Sequence, residues 1–371
     1  MSATAQTRDP IATTEGCRYC WMCRHVCPVG HVTRRETLTP HGWALTIASV
    51  RRGTIRWDAE TADVLYQCAD CGMCQTHCVT NQPLPDAIAA ARAEVAAAGT
   101  APAAVYAAHD VLKTSGNAYG EPVAQALQAQ GEIGLFISDA ARRSPETVQA
   151  AEALLKAAGI AYVPVGTGRS NGLLASALGF PETAASLGRA ILEDVARAGC
   201  RTLLVLAPRD RFAFSRLYPE RLGLAWPDGV EVVEVTAALA DALRDGRLRF
   251  RPAGEPSRPY VYQEPDHAPR VRPDGAGPRA LLAAALGESA ERRLFWRDRR
   301  AHPTGAVGAL PVTHPALAGR LAAARFEDAA AAGASLLVTE DPAALQHLRR
   351  HQAGGIEVAG LYELLHARLA A

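Results

Sequence analysis

Cys17-Arg18-Tyr19-Cys20-Trp21-Met22-Cys23-Arg24-His25-Val26-Cys27-Pro28 and Cys68-Ala69-Asp70-Cys71-Gly72-Met73-Cys74-Gln75-Thr76-His77-Cys78 are two copies of one spacing, C-x2-C-x2-C-x3-C. Together they hold eight of the nine cysteines. Three closely spaced thiolates can wrap three corners of a [4Fe–4S] cube, and in two-cluster proteins the fourth ligand comes from the other run. This assigns Cys17, Cys20, Cys23 and Cys78 to a first cluster, and Cys68, Cys71, Cys74 and Cys27 to a second.

Other uses of such cysteines fit less well. Structural zinc uses two separated pairs, often with histidine. A disulfide framework belongs to oxidising compartments and usually to small secreted domains. The opening residues, MSATAQTRDP, show no apolar signal-peptide segment. Radical enzymes that open S-adenosylmethionine use one C-x3-C-x2-C run, which is absent from this sequence.

The totals set further bounds. At ~150 residues per domain, 371 residues predict two or three domains. A net charge of +1 gives no bulk electrostatic case for nucleic acid. No apolar run of about 18 residues predicts a membrane span. Reduced thiolates imply a cytoplasmic protein, able to dock at the inner face of the membrane through partners. Arginine dominates the basic residues, and lysine occurs only at Lys113 and Lys156.

Around the runs the pattern is helical. Residues 1–14 read as a loose tail. Helical patterns cover His41–Arg52 and Glu60–Tyr66, with a turn at Gly53. Asp86–Ala98 and Ala103–Lys113 follow as alanine-rich helices, and Thr114–Pro122 reads as a turn-rich linker. From Ile133 short β-rich runs alternate with helices. Strands are expected at Gly134–Ser138, Ala161–Val165, Thr202–Leu206, Val230–Val235 and Tyr260–Gln263. Helices are expected at Pro145–Ala158, Pro181–Ala198 and Thr236–Arg244. That alternation predicts parallel strands with crossover helices. Glu193–Gly199 before Leu203-Leu204-Val205 is repeated by Glu327–Gly333 before Leu336-Leu337-Val338, an offset of about 134 residues. A proline (Pro208, Pro342), a helix and a strand (Val230–Val235, Ile356–Ala359) follow each, so the α/β part reads as a duplication. The expected fold class is α+α/β: a tail (1–14), an all-helical two-cluster ferredoxin domain (15–115), and two α/β parallel-sheet halves (116–250 and 251–371).

With these motifs in place, the chain resembles the iron–sulfur subunits related to heterodisulfide reductase, glycolate oxidase, lactate-utilisation proteins and anaerobic glycerol-3-phosphate dehydrogenase. Leu65-Tyr66-Gln67-Cys68-Ala69-Asp70-Cys71-Gly72-Met73-Cys74 and Gly116-Asn117-Ala118-Tyr119-Gly120 carry the likeness. The family adds a duplicated Cys-Cys-Gly region. Here its cysteines are replaced: Ser170-Asn171-Gly172, Ala207-Pro208-Arg209-Asp210, Gln263-Glu264-Pro265-Asp266-His267, Pro303-Thr304-Gly305 and Asp341-Pro342-Ala343-Ala344 stand at the matching places. The resemblance implies an electron-transfer subunit with no catalytic residue of its own. It would serve a partner flavoprotein dehydrogenase, carrying FAD or FMN, that oxidises a small substrate such as a 2-hydroxy acid or N-methyl amine. Electrons would pass to quinone or another carrier, at a membrane-associated acceptor.

Several residues have two readings. Asp210, Asp266 and Asp341, with His267 or His302, could hold a hard cation or small ligand, or could be polar strand-end residues satisfied by backbone N–H groups. Carboxylates cannot replace thiolates around iron–sulfur. Alternatively the C-terminal cleft, with Asp210, Asp266 and His267, binds a substrate itself, or the clusters serve mainly structure. Cys200 reads as a small core hydrophobe. His25 and His77 are candidates for hydrogen bonds to cluster sulfur. Arg292, Arg293, Arg297, Arg299 and Arg300 around Phe295-Trp296 read as a docking surface or a solvated face. Gly166-x-Gly168-x-x-x-Gly172 lacks the dinucleotide spacing.

Overall fold

The computed structural model describes residues 9–123, 129–227, 229–251, 258–272 and 274–370. The N-terminal part holds α1 (Pro28–Thr33), α2 (Pro40–Arg51), α3 (Ala59–Tyr66), α4 (Met73–Thr76), α5 (Leu84–Ala97) and α6 (Ala103–Ser115). The first α/β half holds β1 (Ile133–Phe136), α7 (Asp139–Arg142), α8 (Pro145–Ala157), β2 (Val163–Val165), α9 (Leu173–Leu178), α10 (Pro181–Ala198), β3 (Thr202–Val205), α11 (Pro208–Phe212), β4 (Glu231–Glu234) and α12 (Val235–Arg244). The second holds β5 (Tyr260–Tyr262), α13 (Ala268–Val271), α14 (Ala276–Leu286), α15 (Leu310–Thr313), α16 (Pro315–Ala331), β6 (Leu336–Thr339), α17 (Pro342–Arg350), β7 (Glu357–Gly360) and α18 (Leu361–Ala367). The α+α/β class follows.

Local chemistry sets many of the helix starts. Cys27 accepts from Gly30 N–H and is followed by Pro28 at the first helical position. Thr39 caps α2, and Asp58 with Thr61 forms a capping box on α3. Between α2 and α3 packing, Trp43 is buried and donates to the Val64 carbonyl at 2.8 Å.

Both sheets are parallel. The first runs β2-β1-β3-β4 and the second β5-β6-β7. In register, Gly134 faces Val163 on one side and Leu203 on the other, while Leu337 faces Val261 and Val358. The order β1-β3-β4 thus recurs as β5-β6-β7. The second sheet has no counterpart to β2 among the described residues. Cys200 packs against Gly134, where a side chain would meet its sulfur at 2.8 Å, and is buried as a core residue.

Two glycines match across the repeat. Gly172 has φ +85° and would drive a Cβ to 2.9 Å from the Ala184 carbonyl oxygen. Gly305 has φ +88° and would meet the Ala318 oxygen at 2.7 Å. Ala184 and Ala318 occupy the same place in α10 and α16, helices that begin at Pro181 and Pro315. The same backbone crowding therefore survives in both halves.

The cores show how the parts join. Leu135, Leu204 and Val235 of the first half share one core with Tyr260, Val338 and Tyr362 of the second. The helical part has no core to itself. Trp43, Tyr66 and Ile88 pack in one cluster with Leu178 of α9 and Leu310 and Leu317 of the second half. The segment expected as a linker is also fixed. Asn117 is buried, its amide donates to the Ser115 and Glu121 carbonyls, and its oxygen accepts from Tyr119 and Glu121 N–H. Residues 1–8 of the expected tail lie outside the described residues. The rest of it differs from a loose tail: Pro10–Thr14 form a 3-10 turn with Ile11 and Thr14 buried, because the helices offer Ile11 an apolar seat.

Gly172→Ala and Gly305→Ala are each expected to lower stability by about 1–3 kcal/mol, because each combines a left-handed backbone with a backbone collision. Chemical denaturation followed by circular dichroism checks this, and the two losses should be of similar size.

Candidate iron–sulfur centre

The two cysteine loops have the same backbone. Tyr19 and Asp70, each two residues past the first cysteine, have φ +49° and +51°. Trp21 and Gly72, each one past the second cysteine, have φ +65° and +68°. Non-glycine residues in this region are uncommon and costly. Here the turns point successive thiols to one side. Tyr19 N–H donates to Cys17 Sγ and Asp70 N–H to Cys68 Sγ, both at 3.4 Å. Gly30 N–H donates to Cys27 Sγ at 3.4 Å and Gln82 N–H to Cys78 Sγ at 3.3 Å.

The thiols gather in two adjoining places. Cys17, Cys23 and Cys78 line one small cavity under Thr13 and Pro40, and the charges of Cys17, Cys20 and Cys78 all bear on Cys23. Cys27, Cys68, Cys71 and Cys74 line the other, beside Trp43 and Ile88. Cys74 also borders the first cavity. All nine cysteines are free thiols.

Burial raises thiols of both sets. It pushes the Cys23 thiol up to about 11 and Cys27 up to about 12. Cys68 and Cys74 are driven well above the ordinary thiol value by the same cause. At Cys78 burial also acts upward, but hydrogen bonds from Thr80 and Gln82 outweigh it and the thiol titrates lower than usual. Buried thiolates need a cation beside them. Four convergent sulfurs with N–H donors aimed at them form a donor set that suits a soft iron centre. Among the described residues, no group of three or more His, Cys, Asp or Glu lies close enough to hold a single metal ion.

Two arginines brace the second loop. Arg92 of α5 is fully buried. Its guanidinium donates to both Asp70 carboxylate oxygens at 2.8 Å, to the Leu65 and Cys68 carbonyls, and to Ala177 O of α9 at 3.1 Å. Arg270 of α13 lies on the other side, its Cδ 3.3 Å from where a Cβ on Gly72 would be. Burial lowers the Arg270 pKa, while Cys71 and Cys74 act to raise it. Neither arginine carries a sequence signal, because each meets the loop through tertiary packing.

The other candidates have structural partners. Asp266 accepts from Thr304 N–H and hydroxyl, both at 2.7 Å, and from Ala306 N–H. Asp341 caps α17 through Ala343 and Ala344 N–H. Asp210 accepts from the Asn171 amide at 2.7 Å. Asp210 and Asp266 thus each tie down one of the turns at Gly172 and Gly305. His267 stacks on Phe212 with centroids 4.4 Å apart, and His302 stacks on Trp296 at 3.9 Å. His77 Nδ1 lies 3.2 Å from Met73 O, and His25 offers its backbone carbonyl to His31. Of the arginine-rich segment, Phe295 is exposed, while Trp296 turns inward against His302 and His31.

Comparison with known proteins supplies the class. Residues 13–81 match the family model of a 4Fe-4S dicluster domain. This is an iron–sulfur protein. The matched segment contains both cysteine runs and ends before α5. No curated protein matches the chain. Among solved structures, a hypothetical protein from Helicobacter pylori shares the fold at TM-score 0.59 and 8% identity, covering 92% of this chain and 70% of that one.

Two outcomes follow from these surroundings. Asp210 is raised from 3.8 to about 7, first by burial and against the pull of Arg209. A native carboxyl that holds its proton more tightly than the unfolded chain makes stability fall as pH rises between those values. Asp210→Asn should flatten that fall in denaturation curves taken from pH 4 to pH 7. Arg270→Gln removes a positive charge beside Cys71, so the nearby centre should become harder to reduce, which EPR-monitored redox titration reads as a lower midpoint.

Proposed function

We propose that this chain is the electron-transfer subunit of a multi-subunit oxidoreductase. Cys17, Cys20, Cys23 and Cys78 hold one [4Fe–4S] cluster, and Cys68, Cys71, Cys74 and Cys27 hold the other. The observation that carries this reading is the crossing. Cys78 shares a cavity with the first run and Cys27 with the second, while Cys74 borders both. Each cluster, when bound, takes up and releases one electron at a time, with a potential set by its surroundings.

The protein's part is to hold the two centres side by side and to differ in how it exposes them. The first set opens to solvent: Cys20 is exposed, and Trp21 and Val79 stand at 52% and 69% exposure. An apolar rim of this kind suits a docking partner that exchanges electrons at short range. The second set lies inward, against Arg92, Arg270 and the α/β halves. The likeness to heterodisulfide reductase and glycolate oxidase iron–sulfur subunits points to a flavoprotein dehydrogenase as that partner, with FAD or FMN on it. Its substrate would be a small 2-hydroxy acid or N-methyl amine, and quinone or another carrier the acceptor. On this reading the ferredoxin-like unit is residues 15–115. The halves 116–250 and 251–371 form a scaffold, acting at the cytoplasmic side through partners.

The alternative, in which Asp210, Asp266 and His267 bind a substrate, is less favoured. Both carboxylates are engaged by the turns they brace. Anaerobic purification from the native host should yield about eight irons per chain together with a flavoprotein. Adding that flavoprotein's substrate should reduce the clusters within turnover, as followed by EPR. Clusters that stay oxidised while the flavin is reduced would overturn the relay.

A further inference from the structure

A cleft of about 510 Å³ opens between the second cysteine loop, α5 and the C-terminal halves. It is within the size range of small-molecule sites. Its charges do not balance. Five arginines line it: Arg92, Arg216, Arg221, Arg270 and Arg299. Three carboxylates line it, and each is already paired: Asp70 with Arg92, Asp86 with Arg221, and Glu220 with Arg216. Among the described residues no carboxylate comes within ion-pair distance of Arg270 or Arg299.

Arg270 donates to the Arg299 backbone carbonyl at 3.4 Å, and the charge of the exposed Arg299 side chain bears on it. Arg270 is half-buried, its Nε is fully buried, and that N–H has no partner. A neighbouring cluster accounts for one side of Arg270, the side facing Gly72, but not for Arg299. His267 also lines the cleft. It is 4% exposed and its Nδ1 has no hydrogen-bond partner. Phe212, Leu217 and Val271 supply apolar wall. Guanidinium groups recognise the planar carboxylate in a forked geometry. Apolar wall beside them favours an organic anion over a fully hydrated inorganic one.

We propose that this cleft binds a small organic carboxylate, with Arg270 and Arg299 as its charge partners. This site is separate from electron relay between subunits, and its occupancy can be measured without any partner protein.

The test is isothermal titration calorimetry of the cluster-loaded full chain with succinate, benzoate and inorganic phosphate. At least one carboxylate should bind at one site per chain. Arg270→Gln should weaken it about tenfold or more, as should Arg299→Gln. Ala89→Phe, which fills the cleft without changing charge, should also abolish binding. Arg244→Gln, far more exposed and paired with Asp241, should titrate like the unmodified chain. Three results would overturn the proposal: neither carboxylate binds, phosphate binds in preference to both, or Ala89→Phe and Arg299→Gln bind as tightly as the unmodified chain.

Discussion

The buried guanidinium of Arg92 ties the helical part to the rest. From one position in α5 it holds Asp70 and the Cys68 carbonyl of the second cysteine loop, the Leu65 carbonyl at the end of α3, and Ala177 O in the first α/β half. A buried charge is tolerated only where its donors are used, and here nearly all are. Burial alone would disfavour the cation, but the charges of Asp70 and then Cys68 outweigh it. Asp70 itself sits at φ +51°. The ion pair thus holds a strained residue between two cysteines. Gly179 completes the arrangement, since any side chain there would meet the Arg92 carbonyl at 2.4 Å.

From that joint outward, each feature of the centre has a physical cause. Left-handed turns at matched positions give both loops the same inward aim. Burial makes free thiolates unfavourable, so the site is arranged for a cation to be present. Exposure at Cys20 and burial of Cys27 make the two sets unequal. Unequal surroundings are what set two otherwise similar centres at different potentials. In the α/β halves, Asp210 and Asp266 each fasten a glycine turn by hydrogen bonds. Those turns keep their shape through side-chain and backbone donors within the fold.

Much of this was legible in the sequence. The strands fell within one or two residues of their expected places, and Pro181–Ala198 was placed to the residue. Short β-branched runs between alanine-rich helices carry a strong local signal, and the Glu193–Gly199 and Glu327–Gly333 repeat exposed the duplication. What could not be read was tertiary. Ile11 is buried only because helices from elsewhere in the chain cover it. The Gly/Asn/Pro segment after α6 looked like a linker, yet Asn117 closes it into a fixed turn that also meets Ser170. Arg92 and Arg270 sit in unremarkable alanine- and proline-containing stretches, and their roles come from what packs over them. Strand-end carboxylates readily find N–H groups, as Asp210, Asp266 and Asp341 do here.

The account rests on crossed ligation, and EPR of reduced single-cysteine variants tests it directly. Cys20→Ser should perturb the first centre and Cys71→Ser the second, giving two reference spectra. Cys27→Ser, although it lies in the first run, should reproduce the Cys71→Ser spectrum and leave the first centre unchanged. A Cys27→Ser spectrum that instead matches Cys20→Ser would contradict the crossed arrangement.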